Sequence, residues 1–329
     1  MFRRRASEAK HRGTVPDRGR GIDPAAGRDP FGAGVPPGPG GAEQEHGVPE
    51  PWGPPPAGLD VGAPHPARVR NYWLGGRDFF AADKAAAEEI NREFPHLAET
   101  ARAERAFLVR AVRFLAGPAK ILQYLDVGAG LPAGGNTHEI AQRITPESTI
   151  VYADNDPAVL LHAKALLGQP MLASTPDGTV CYTDADLRDV AAVLAGAGSA
   201  LTLSRPVALI MLGILGHVQD YGAARSITSQ LIDALPAGSY LVIADVVAAN
   251  QGITSAQRRY DASARPRYGA SAPAPYVLRR PDQMTSFFDG LDLIEPGVVP
   301  CLQWRPDGRG PHGDSEDAAA AYCGVARKP

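Results

Sequence analysis

The stretch Gln123-Tyr124-Leu125-Asp126-Val127-Gly128-Ala129-Gly130-Leu131-Pro132 most narrows what this chain can fold into. A short apolar run ends in an acid, then passes through Gly-x-Gly into a polar segment able to open a helix. That order lets a buried parallel strand deliver a nucleotide-type ligand to a helix N-terminus. The glycines permit a tight turn and close approach of the backbone, and first-turn N–H groups have no partner inside their helix. A second acid-ended strand follows, Thr149 to Asp154, with Asn155, Asp156 and Pro157 behind it. In a doubly wound sheet the first two strands lie side by side, so Asp126 and Asp154 are expected on one rim.

The flanking sequence repeats this β-then-α pattern. Strands are expected near Ile121 to Asp126, Thr149 to Asp154, Val180 to Thr183, Val207 to Leu212 and Ser239 to Ala244. Helices are expected at about Thr137 to Ile144, Pro157 to Leu167, Val190 to Ala195 and Ala223 to Leu235. Val207 to Leu212 is the most apolar run, as suits a central strand covered on both faces. Five such units indicate a mostly parallel sheet with helices on both sides. Before the first strand, helices are expected from Ala67 to Leu74, through Ala85 to Ile90, and from Leu97 to Leu115. Asp83 is expected to cap the second and Pro95 to stop it. After Ser239 to Ala244 the chain turns polar from Asn250 to Ala274. A helix near Pro281 to Phe288 and apolar runs at Leu291 to Val299 and Ala318 to Ala326 then suggest an antiparallel pair at one sheet edge.

Residues 1–60 are rich in Gly and Pro, as in Gly34 to Gly41 and Pro51 to Pro56, and offer almost nothing to bury. They are expected to be disordered, leaving residues 61–329 as the folded domain. Arg3-Arg4-Arg5 has no apolar run behind it, unlike a secretory signal, and Pro206 to Leu215 falls well short of a membrane span of about 20 residues. Cys181, Cys301 and Cys323 lie far apart with no CxxC. That fits a reducing, cytoplasmic setting better than a disulfide framework or a zinc cluster, so no metal is expected. The net charge of −3 gives no pull toward nucleic acid or an anionic membrane, and no basic stripe with interleaved aromatics is present.

Two ligands compete for the rim. Gly128-x-Gly130-x-x-Ala133 fits a dinucleotide fingerprint, with Asp154 at about the 20-residue spacing of the ribose acid. Against it, Pro132 falls where a helix should be starting, Asp126 would face a pyrophosphate, and a third acid, Asp186, follows the third strand. Carboxylates can accept hydrogen bonds from an ammonium, from ribose hydroxyls or from an adenine amino group. Three acids therefore suit S-adenosylmethionine better.

The chain resembles the class I S-adenosylmethionine-dependent methyltransferases. More closely, it resembles a bacterial S-adenosyl methyltransferase family first catalogued as a domain of unknown function. The matching stretches are Pro66 to Val69, Tyr72 to Asp78, Phe80 to Asp83, Leu125 to Pro132, Gly135 to Glu139, Val151 to Pro157, Asp184 to Asp189 and Pro236 to Leu241. The resemblance implies a Rossmann-like α/β fold: a mostly parallel seven-stranded sheet with an antiparallel edge strand and extra N-terminal helices. It implies that Asp126, Gly128, Ala129 and Gly130 line the methionine end. Asp154 would hold the ribose with Asn155 beside it, and Asp186 with Leu187 would meet the adenine. Leu212 to His217 would face the methyl group and the acceptor. An apolar or aromatic residue is usual near Gly216, so the acceptor pocket is expected to be reshaped.

Gly76 and Arg77, with Asp78, are candidates for closing over the cofactor. If the acceptor atom needs a general base, His217, Asp220 and Tyr72 are the candidates. The reading is an enzyme moving a methyl group to a small-molecule acceptor. A non-catalytic S-adenosylmethionine-binding or regulatory protein and an NAD(P)-dependent oxidoreductase stand as alternatives.

Overall fold

The structure is a computed structural model describing residues 60–167, 171–175, 178–269, 272–305 and 320–329. The Gly- and Pro-rich head expected to be disordered lies, up to residue 59, outside the described residues.

Among the described residues three helices come first: α1 (Pro66–Trp73), α2 (Ala81–Glu93) and α3 (Pro95–Ala116). The alternating units follow: β1 (Gln123–Val127), α4 (Thr137–Ile144), β2 (Thr149–Asp154), α5 (Pro157–Leu167), β3 (Leu172–Thr175), β4 (Gly178–Asp184), α6 (Val190–Gly198), β5 (Ala208–Leu212), α7 (Tyr221–Asp233) and β6 (Tyr240–Val246). The chain closes with α8 (Gln251–Tyr268), α9 (Pro281–Thr285), β7 (Asp292–Leu293), β8 (Val299–Pro300) and β9 (Ala321–Arg327).

Among the described residues the sheet has nine strands, not the seven expected, in the order β3-β4-β2-β1-β5-β6-β9-β7, with β8 also paired to β9. Strands β4, β2, β1, β5 and β6 are mutually parallel. The additions are β3, antiparallel to β4, and the two-residue strands β7 and β8. Strand β9 is antiparallel, as expected for one strand, but it lies inside the sheet between β6 and β7 rather than at the edge. Leaving β1, the chain passes to β2 on one side and later reaches β5 on the other. The crevice beyond the C-terminal ends of β1 and β5 is therefore the topological switch point, where open α/β sheets bind ligands.

Period-two alternation splits the strand residues between two cores. Leu125, Val127, Val151, Leu209, Met211 and Ile243 pack toward α6, α7 and Phe287. Tyr124, Ile150, Tyr152, Ile210 and Val242 pack toward α3, α4 and Trp304. A third cluster joins α1 and α2 to α8 through Val69, Ile90, Phe94, Ala264 and Tyr268.

Two helix boundaries differ from expectation. Asp83 caps α2 from the third helical position rather than as the N-cap residue, which is Phe80, and it is 0% exposed. Its Oδ2 accepts from Arg68 Nε at 2.8 Å and Phe80 N at 2.7 Å, and its Oδ1 accepts from His65 N at 2.8 Å. Pro95 opens α3 instead of merely ending α2, because its missing N–H costs nothing in a first turn. The polar stretch after Asn250 is the 18-residue α8, with Asn250 capping it by accepting from Ile253 N. No helix among the described residues is long and apolar enough to cross a membrane.

Candidate functional site

A cavity of about 460 Å³ opens above the C-terminal rim of β1, β2, β4 and β5. Its floor begins at the Gly-x-Gly loop. Gly128 and Gly130 have φ of 75° and 65°, the left-handed region that favours glycine. A Cβ on Gly128 would come within 2.7 Å of the Ile214 side chain, whereas a Cβ on Gly130 would meet nothing within 4 Å. Gly130 thus keeps space open against the cavity it lines.

The loop is tied to the second strand. Gly130 N donates to Asp154 Oδ2 at 2.8 Å and Asp156 N donates to Asp154 Oδ1 at 2.9 Å. Asp126 Oδ2 accepts from the Thr137 hydroxyl at 2.7 Å, joining the end of β1 to the start of α4. Burial raises the Asp126 carboxyl to about 6, against the opposing pull of Thr137 and Arg105. Asp154 is also raised by burial. Arg105 of α3 braces the exit of the loop, donating to Gly134 O at 3.0 Å and Ala133 O at 2.6 Å, and to the Asn136 side chain.

Asp186 lies beyond β4 and is already engaged. Its oxygens accept from Arg188 N, Nε and Nη2 at 2.8, 2.8 and 2.6 Å, and from Asn155 Nδ2 at 3.0 Å. The Arg188 contacts hold its carboxyl below the usual range. Four donors fill the lone-pair sites a carboxylate offers.

The sequence-derived candidates divide cleanly. Asp126, Gly128, Ala129, Gly130, Asp154, Asn155, Asp186, Leu187, Leu212 and His217 all line the cavity. Gly76, Arg77, Tyr72 and Asp220 do not. Gly76 packs against the Asn71 side chain, which bridges Asp78 N (2.8 Å) and Pro132 O (2.6 Å). Arg77 is exposed, and Asp78 faces His162 of α5 at 3.7 Å rather than pairing with Arg77. Tyr72 meets Glu88 at 3.1 Å and the Phe79 ring edge-on. Asp220 caps α7, accepting from Ala223 N at 2.7 Å. His138 is held by Tyr152, whose hydroxyl meets its N–H at 3.0 Å and its Nδ1 at 2.8 Å. His217 is solvent-exposed, yet the cavity walls and then the charges of Arg70 and Arg188 lower its imidazole pKa.

A second group was not singled out in the sequence. Arg70 Nη2 meets Glu104 Oε2 at 2.7 Å, and both residues line the cavity. Behind them, Tyr276 donates a short hydrogen bond to Asp245 Oδ1, while Gly216 N donates to Asp245 Oδ2 at 3.2 Å. The Tyr276 ring occupies the space a Gly216 side chain would need and packs edge-on against His217 at 4.9 Å. The aromatic missing at Gly216 is thus supplied by the segment after α8. Glu104 left a signal: with Ala101 three residues before and Leu108 four after, it is an acid on the buried stripe of α3. Asp245 left one too, since it closes an apolar strand as Asp126 and Asp154 do.

Comparison with known proteins assigns the class. The family model described as S-adenosyl methyltransferase matches residues 53–329. A DUF574 family protein from Streptomyces avermitilis is 40% identical, with a TM-score of 0.72 over 82% of this chain and 99% of its own. A candidate methyltransferase from Thermobifida fusca is 36% identical, with a TM-score of 0.69 over 83% of this chain and 98% of its own. A search of curated proteins found no match. The chain belongs to the S-adenosyl methyltransferase family and is an S-adenosylmethionine-dependent methyltransferase. The cavity suits that cofactor on two counts: acids from the ends of three neighbouring parallel strands, Asp126, Asp154 and Asp186, line it, and Gly130 leaves room beside them.

Proposed function

We propose that S-adenosylmethionine binds along the rim of β1, β2 and β4 and that its methyl group passes to a small-molecule acceptor held beyond β5. When bound, the cofactor supplies an activated methyl group on a sulfonium sulfur. Everything else required is positioning and exclusion of water, which the chain's own residues provide.

The observation that carries this reading is the convergence of Asp126, Asp154 and Asp186 with the open Gly130 loop on one cavity. Asp126 and the Gly128 to Gly130 backbone hold the methionine end. Asp154 takes backbone donors from Gly130, Asp156 and Asn155, which leaves lone-pair capacity for a ribose hydroxyl. Asn155 and Leu187 flank the ribose and adenine. For Asp186 to receive the adenine amino group, Arg188 must release one of its hydrogen bonds. That pair is exposed, so its loss costs about 0–1 kcal/mol.

A small acceptor is supported by the size of the cavity, which falls within the range of small-ligand sites of about 300–1,000 Å³. The net charge of −3 argues against a nucleic acid acceptor. Three buried free thiols suit a cytoplasmic enzyme.

Calorimetric titration of S-adenosylmethionine into wild type and Asp154→Ala tests the rim. The expected result is micromolar binding that weakens at least tenfold in the variant, a loss of about 1.4 kcal/mol. No heat and no thermal shift with wild type would sink the assignment.

A further inference from the structure

Glu104 is 1% exposed, and its two oxygens are treated differently. Oε2 receives Arg70. Oε1 is buried and has no hydrogen-bond partner. An unmatched carboxylate oxygen in such a place carries an uncompensated desolvation penalty. Native proteins seldom keep one without a use. Glu104 lines the cavity, and Gly213, with φ of 63°, runs past its carboxylate so closely that a Cβ there would lie 3.3 Å from Oε2. Glycine at that point keeps a side chain from pressing on the acid where it borders the cavity.

We propose that Glu104 binds the methyl acceptor, and that the acceptor is an amine whose N–H group is taken by Glu104 Oε1. The inference rests on the methyltransferase reading of the cavity. Its placement is set by the sheet. Asp154 and the Gly130 loop gather on the β2 side of β1, whereas Gly213 follows β5 on the opposite side. Glu104 therefore stands across β1 from the groups assigned to the cofactor.

Charge decides between an amine and an alcohol. The carboxylates lining the cavity outnumber its guanidiniums, Arg70, Arg105 and Arg188. Arg70 is spent on Oε2, Arg105 on the loop carbonyls and Arg188 on Asp186. Arg279 turns its guanidinium to Leu215 O and Val218 O. A cationic amine entering beside Glu104 offsets the surplus negative charge, and a neutral alcohol of the same shape does not. Burial raises the Glu104 carboxyl, which suits it to accept a proton from the bound amine.

The test uses the full chain saturated with S-adenosylhomocysteine. Benzylamine is titrated against benzyl alcohol, and butylamine against butanol, into wild type and Glu104→Gln, by calorimetry and thermal shift. The expected result is amine binding at least tenfold tighter than the matched alcohol in wild type. Glu104→Gln should erase that preference and still bind S-adenosylhomocysteine within about twofold of wild type. Equal binding of amines and alcohols, no binding of either amine, or a preference that survives in Glu104→Gln overturns the proposal. So does a tenfold loss of S-adenosylhomocysteine affinity in a folded Glu104→Gln, which would move Glu104 to the cofactor side. Wild type that fails to bind S-adenosylhomocysteine brings down the cofactor assignment itself, a separate failure. If Glu104→Gln does not fold, Glu104→Asp, which draws the charge back from the wall, should lose at least fivefold in amine affinity.

Discussion

Asp245 is 5% exposed, ends an apolar strand and receives three hydrogen bonds from neutral donors, none from a cation. Burial raises its carboxyl to about 7, opposed mainly by the Tyr276 hydroxyl. The consequence has a definite sign. Above the ordinary carboxylate pKa the unfolded chain has lost this proton while the folded chain keeps it. Raising pH therefore favours unfolding until the folded group also ionises. In Asp245→Asn that contribution is absent. Urea titrations from pH 5 to 8 should show wild type losing stability relative to Asp245→Asn by up to about 1.4 kcal/mol per pH unit as pH approaches 7, then levelling off. A pH-independent difference between the two would mean that Asp245 is ionised throughout. The absolute cost of the asparagine is a separate matter, since its amide N–H would face a donor. Legibility at this scale follows contiguity. Asp126 and Asp154 stand at the ends of apolar runs and can be read from a few neighbouring residues. The contact of Arg70 with Glu104 spans 34 positions and that of Asp245 with Tyr276 spans 31, and no local pattern encodes such a meeting.

Among elements, the α/β alternation was legible because its strands are continuous apolar runs and its helices carry capping or proline signals. Helix α8 was not. Its buried residues, Ile253, Ala256, Gln257, Ala264 and Tyr268, are mostly small or polar, and Pro266 lies inside it. What buries this face is α1 and α2 with the residue after α2, Phe94, which meets Tyr260, while Arg267 pairs with Glu89 and Glu93. Tertiary packing supplies what propensity lacks. Strand β3 escaped notice because an exposed antiparallel edge shows little hydrophobic contrast. The joint between α1 and α2 is equally specific. Arg68 and Asp83 are 3% and 0% exposed, and Arg68 Nη2 also donates to Ala63 O at 2.7 Å. Removing one partner strands a buried charge, which costs about 3–5 kcal/mol. Asp83→Ala should lose that amount in urea unfolding. A loss under 1 kcal/mol would show that water readily solvates Arg68 when α1 loosens.

The whole molecule divides its labour between a rigid sheet and the pieces laid across its rim. The parallel strands β4, β2, β1, β5 and β6 fix the positions of the rim acids, while β9 and its short partners complete the far side away from the cavity. The walls come from outside the alternating core: α1 gives Arg70 and Asn71, α3 gives Glu104 and Arg105, and the segment after α8 gives Pro273 and Ala274. The family resemblance made the floor legible in the sequence. The walls were not, because they are built from elements whose own patterns speak only of helix and loop. This division predicts where ligand binding is felt. Floor strands are already protected by two cores, so a ligand adds little to them. Helix α1 and the segment after α8 line the cavity and gain a new partner when it is filled. Hydrogen exchange with and without saturating S-adenosylhomocysteine should slow at residues 65–74, 128–137 and 272–276. It should stay unchanged within error in β9. Equal slowing in β9 would mean that the sheet itself responds to the ligand, and the separation of a fixed floor from movable walls would fall.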